Sequence, residues 1–137
     1  MTLRIYPDTC VFIAALAGEV QGDTSILNFF YSEDRKLLTS CFVYLEVLPK
    51  PIFNRKFEHV ERVKALFSQC DEIIEIHDDV VCHAMHLSSK YDLSAMDALH
   101  VAAAIEGRAD EFVTMEKPTK PLFRVEELRV VSLYRSN

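Results

Sequence analysis

Runs of apolar residues along the chain change period from two to three or four and back, and these changes mark out successive elements. Leu3–Tyr6 is a short apolar run closed by Pro7 and reads as a buried strand. Thr9–Leu16 is apolar and free of glycine, so a helix opens directly behind that strand. Asp23-Thr24 can cap a second helix, with Ile26, Leu27, Phe29 and Phe30 on its buried face. Leu37–Thr39 predicts a second strand leading into SCFVYLEVLPK, where Ser40 can cap a helix that Pro49 and Pro51 end or bend. Lys56–Cys70 is the clearest amphipathic stretch. Phe57, Val60, Val63, Phe67 and Cys70 recur at helical spacing, with Glu58, His59, Glu61, Arg62 and Lys64 between them. Glu72–Ile76 alternates as a strand, and Asp78–Tyr91 has helical spacing through Val81, Ala84, Met85 and Ser88. A helix from Ser94 stops at Gly107, and Glu111–Met115 and Arg129–Leu133 read as the last strands.

Strands alternating with helices predict an α/β domain with a mostly parallel sheet and helices on both faces. Ligands in such sheets bind beyond the carboxyl ends of the strands. Chemically able residues just past a strand's end therefore matter most.

Composition narrows the class. The 137 residues are 50% hydrophobic and 26% charged with only 3 Gly, which suits one compact domain with a sizeable core. The opening residues show no secretory pattern, and Cys10–Ala17 is too short to span a bilayer, so a cytoplasmic protein is expected. Cys10, Cys41, Cys70 and Cys82 form no C-x-x-C pair and read as reduced, mostly buried thiols. A net charge of −6 argues against a general nucleic-acid coat, yet permits a local basic rim around an acidic centre. Lys50, Arg55 and Lys56 follow Glu46, and Lys117, Lys120 and Arg124 follow Glu116, whereas residues 71–79 gather five acids with no Lys or Arg.

Four carboxylates are candidates for that centre. Asp8 directly follows the first strand, Glu46 lies in the helix after the second, and Glu116 follows the Glu111 strand. Asp97 joins them if its helix starts at the same edge. Each also has a plainer reading: Asp8-Thr9 and Ser94-x-x-Asp97 can act as helix caps, Glu46 can face solvent, and Glu116 can sit in a loop. Gathered together, however, the four would repel unless a cation lay among them. All-carboxylate oxygen sites suit Mg²⁺ or Mn²⁺, whose usual partner is a phosphate, and metal-dependent phosphodiester cleavage follows as the chemistry.

At this point the residues resemble a known family. IYPDTCVFIAAL looks like the opening strand and helix of PIN domains, in which Asp-Thr-Asn follows the strand. SCFVYLEVLPK is similar to the family's Ser/Thr-then-Glu helix, MDALHVAAA to its Asp-Ala-x-x-x-x-Ala helix, and FVTMEKP to its final strand ending in Thr-x-Asp. The match runs in order from Ile5 to about Phe123. It implies a three-layer α/β/α fold around a mostly parallel sheet and Mg²⁺- or Mn²⁺-dependent ribonuclease activity. By position it makes Asp8, Glu46 and Asp97 the principal acids around the metal and Glu116 the fourth, with Thr114, Thr9 and Ser40 in support. Lys50, Arg55, Lys56, Lys117 and Lys120 would steer the RNA backbone by charge alone. Single-domain proteins of this kind are often VapBC-type toxins, inhibited by a small antitoxin and commonly homodimeric.

Two positions depart from the pattern. Cys10 stands where Asn is usual, and Glu116 replaces the commoner Asp. They leave open a catalytically weak binding or dimerising module, as well as a PIN nuclease of RNA processing outside any toxin module. A Cys10 nucleophile lacks a fixed histidine partner. His100, three residues after Asp97, reads as a buried hydrogen-bonded group, and His83-x-x-His86 as an exposed face.

Overall fold

The computed structural model describes residues 2–136. Five strands, β1 (Leu3–Pro7), β2 (Arg35–Ser40), β3 (Glu72–Ile74), β4 (Glu111–Thr114) and β5 (Arg129–Ser132), form one sheet in the order β3-β2-β1-β4-β5. All four pairings are parallel. Helices α1 (Thr9–Gln21), α2 (Ser25–Phe30), α3 (Cys41–Val47), α4 (Pro49–Phe53) and α5 (Phe57–Phe67) lie before β3, and α6 (Asp78–Tyr91) and α7 (Ala95–Glu106) follow it. This is the three-layer α/β/α architecture expected from the alternation of elements.

The sheet's alternating faces separate two packed groups. On one side Phe12 of α1 meets Phe30 of α2 and Phe67 of α5, with ring centroids 4.8 and 5.0 Å apart. On the other, Tyr6 of β1 stacks on Phe112 of β4 and reaches His100 of α7. The start of α7 is set at the sheet's carboxyl edge because its far end is tied to the opposite one. There the Arg4 guanidinium donates to the carbonyl of Gly107, and Asp110 accepts from the Arg4 amide at 2.8 Å. A Cβ at Gly107 would fall 2.4 Å from Ile74 Cδ1, so a larger residue there would force that side chain to move.

Several local expectations give way to tertiary packing. Helix α1 runs on to Gln21 and ends at Gly22 in the left-handed region, φ 85°. The proline-bearing segment is a break between α3 and α4, with Pro49 in the first turn of α4. Helix α5 is shorter than Lys56–Cys70, and Phe57 points to solvent while Val60, Val63, Leu66 and Phe67 are buried. Strand β3 stops at Ile74. The bounds of α6 are as expected but its face is not: Val80, Ala84, Leu87 and Tyr91 are buried, and Val81 and Met85 are exposed. Ser40 stands at the N-cap of α3 without bonding to it, because its hydroxyl pairs with Tyr6 instead. All four cysteines are free, but Cys41 and Cys82 are exposed and not buried. Among the described residues no helix is long and apolar enough to cross a membrane.

Candidate active site

Asp8 occupies the turn from β1 into α1. Its backbone N–H donates to the Val113 carbonyl at 2.7 Å, which pins it to β4, and its carboxylate caps α1 by accepting from the Thr9 amide at 2.8 Å. The second carboxylate oxygen accepts from the Thr114 hydroxyl at 3.3 Å and the Cys10 thiol at 3.6 Å. Asp8 is thus both a cap and a buried, oriented carboxylate.

Thr114 links Asp8 to Glu116. Its buried hydroxyl also accepts from the Glu116 amide at 3.2 Å, and Ser132 of β5 donates to the Glu116 carbonyl at 2.6 Å. The backbone at Glu116 is therefore held while its side chain remains exposed.

Asp97 sits in the first turn of α7, where Ser94 caps the helix by accepting from the Asp97 amide at 3.2 Å. Its carboxyl is raised above the ordinary carboxylate range. Burial is the main cause, and the charges of Asp8 and Glu116 add to it, against opposing effects from Ser94 and His100. Asp97 thus lies within electrostatic reach of Asp8 and Glu116. Among the described residues, none of these three is in an ion pair with Lys or Arg.

Glu46 is held differently. Its Oε1 accepts from Thr9 Oγ1 at 2.6 Å and lies 2.5 Å from His100 Nε2, with its side chain one-third exposed at 33%. His100 is 1% exposed, and its other ring nitrogen lies 2.8 Å from the Tyr6 hydroxyl, which in turn is 2.7 Å from Ser40 Oγ. Thr9 and Ser40, named beforehand as supports, therefore serve the Glu46 side of the site. Tyr6 was not among the candidates, because nothing in its local pattern marks it as more than a core residue.

Cys10 stands where the family resemblance leads one to expect asparagine. Its sulfur receives the Met115 amide at 3.2 Å while its thiol faces Asp8, so it joins α1 to β4. Burial first, then the Asp8 charge, pushes this thiol up to about 11, so it stays protonated at neutral pH and is a poor nucleophile. Burial likewise pushes Cys70 up to about 12. Iodoacetamide at pH 7.5 should therefore label Cys41 and Cys82 well before Cys10 and Cys70, as read by peptide mass spectrometry. Labelling of Cys10 as fast as Cys82 would contradict this placement.

The basic residues separate by position. Lys50 and Lys56 line a groove of about 470 Å³ between α1 and α4 that also includes Glu46, Ile13, Leu16, Ala17, Val20 and Val47. Lys117 adjoins Glu116 and lies over the Tyr134 ring. Arg55 and Lys120 are exposed, and among the described residues no ion pair ties either to the carboxylates.

Among the described residues no group of three or more His, Cys, Asp or Glu side chains is arranged to hold a metal ion unaided. Mg²⁺ requires less, since it keeps several waters and takes one or two carboxylates together with phosphate oxygens. Asp8 and Asp97 are hard oxygen donors, and the Asp8 charge helps to raise the Asp97 carboxyl, which fits that demand.

The PIN domain family model matches residues 5–117, a span that holds all four carboxylates. This chain belongs to the PIN domain family. No curated protein matches it. Among solved structures, VapBC2 from Rickettsia felis bound to a DNA fragment from its promoter is similar in fold. Its TM-score is 0.73 at 15% identity, covering 93% of this chain and 97% of that one. A toxin–antitoxin complex from Klebsiella pneumoniae has a TM-score of 0.69 at 22% identity, over 96% and 99% of the two chains. PAE2754 from Pyrobaculum aerophilum has a TM-score of 0.62 at 13% identity, over 96% and 92%. The likeness of this PIN domain to these structures is one of overall fold.

Proposed function

We propose that this PIN domain is a metal-dependent endoribonuclease and the toxin of a VapBC-type module. The observation that carries the proposal is the set of Asp8, Asp97 and Glu116, which share one sheet edge without a basic partner and so call for a cation. Asp8 and Asp97 would hold the ion, Glu116 would orient a water or second ion beside it, and Glu46 stands at the rim as the fourth acid. A divalent cation held there would supply Lewis-acid activation of water and offset charge on the phosphate oxygens. Lys50, Lys56 and Lys117 draw the RNA backbone to the acids, with Arg55 and Lys120 adding only long-range attraction.

The apolar groove beside Glu46 supports a small antitoxin as the inhibiting partner. Ile13 and Val20 are exposed on its α1 wall, and an amphipathic segment laid there would cover the entrance to the acids. A homodimer is proposed through α6, which exposes Val81 and Met85. That helix begins at Asp78-Asp79 and ends beside Lys90, so antiparallel pairing of two copies brings opposite charges together.

The test is incubation of the purified protein with single-stranded RNA, with Mg²⁺, with Mn²⁺ and with EDTA. Cleavage with either cation that stops in EDTA is expected. Equal cleavage in EDTA would overturn the metal-dependent reading.

A further inference from the structure

The hydrogen bonds on Glu46 form one end of a buried chain whose direction can be worked out donor by donor. An ionised Glu46 carboxylate only accepts, so His100 Nε2, 2.5 Å from Oε1, has to carry its proton. In the neutral ring that leaves Nδ1 as an acceptor, and the Tyr6 hydroxyl 2.8 Å away is its donor. Burial holds that hydroxyl protonated far above the ordinary phenol range, so it is a donor at any working pH. The Tyr6 oxygen then accepts from Ser40, 2.7 Å away. Ser40, Tyr6 and His100 thus donate in series, from β2 and β1 through α7, to the Glu46 carboxylate on α3.

Thr9 completes the clamp. Its hydroxyl donates to the same Oε1 at 2.6 Å and also lies 3.3 Å from His100 Nε2. Two donors converge on Oε1, whereas no bond from the described residues engages Oε2. The His100 ring cannot turn freely to relieve this arrangement, because the Phe42 ring stands edge-on at 6.1 Å and the residue is 1% exposed.

We propose that His100 is a positioning residue for cleavage. By donating to Glu46 Oε1 it fixes the carboxylate rotamer so that Oε2 alone is offered to the acidic edge. This rests on the nuclease reading above and adds a role that the four acids do not supply. A carboxylate on a helix rim would otherwise sample several rotamers, and orientation errors of about 1 Å cost on the order of a hundredfold in rate.

Two substitutions separate this role from simple packing. Glutamine reaches about as far as Nε2 and can keep the donor to Glu46, whereas asparagine reaches only to Nδ1 and keeps the Tyr6 side. H100Q is expected to cleave RNA within roughly tenfold of wild type, and H100N to fall on the order of a hundredfold. Thermal unfolding of both variants, run without metal, should give similar losses. Independently, long-range ¹H–¹⁵N spectra of the metal-free protein should show His100 as the Nε2–H tautomer.

Equal loss of cleavage in H100N and H100Q with an active wild type would overturn the positioning role alone. An Nδ1–H tautomer would overturn the donor order. A wild type inert toward RNA with either cation would overturn the nuclease reading and this role with it.

Discussion

Asp97→Asn is expected to lose roughly a hundredfold or more of the metal-dependent RNA cleavage while its metal-free fold holds or gains stability. The activity loss follows from removing one of the two carboxylates assigned to the cation. The stability gain follows from the raised Asp97 carboxyl, whose first cause is burial and whose second is the Asp8 charge. A group raised by folding contributes stability below its unfolded pKa, and that contribution is lost as pH rises through the folded one. At neutral pH the ionised Asp97 is therefore a burden, and asparagine lightens it. The variant should also lose the part of the wild-type stability change that begins in the ordinary carboxylate range and ends at the raised Asp97 carboxyl. Urea unfolding between pH 3 and 8 checks this. A variant that cleaves normally and loses about 1 kcal/mol, the size of a lost helix cap, would return Asp97 to a purely structural role.

Phe12→Ala should be the most damaging change to the fold, at about 3–5 kcal/mol. The ring is fully buried and touches Phe30 and Phe67, so it joins α1 to α2 and α5. A loss of that size is a large part of the about 5–15 kcal/mol that holds a typical domain together. Helix α1 is also capped by Asp8 and provides one wall of the apolar groove, so loosening it should weaken cleavage beyond the loss of folded protein. Urea denaturation followed by circular dichroism measures the first effect. A change below about 1 kcal/mol would mean that the aromatic cluster is not the keystone of this layer.

The sequence made the order of elements legible because each depends on local period, capping and punctuation. Asp78–Tyr91 was bounded to the residue, since its ends are set by a change of period. Its buried face is not legible from spacing alone. Val81 and Met85 fit helical spacing as well as Val80, Leu87 and Tyr91 do, and only packing against α7 and the 3₁₀ turn at Pro121–Arg124 chooses between them. Ser40 shows the same limit on a smaller scale. Its cap position was legible, but its hydroxyl is claimed by Tyr6 on the neighbouring strand, a contact between residues 34 apart in sequence.

The candidate site divides along similar lines. Asp8, Thr114 and Glu116 could be placed from the strands they follow, and Asp97 from its helix start. The bond from Thr9 to Glu46 and the line through His100 to Tyr6 join four separate elements, and no spacing along the chain encodes them. Cys10 was legible only as a departure. Its value as a tether between Asp8 and Met115 emerges from sulfur contacts made across β4.

The central claim is that Asp8 and Asp97 together bind a catalytic divalent cation. Its most direct test is calorimetric titration of Mn²⁺ into the wild type and Asp97→Asn at pH 7, without RNA. Saturable binding by the wild type that vanishes in the variant is the predicted result. Equal binding by both proteins, or none by the wild type, would contradict it.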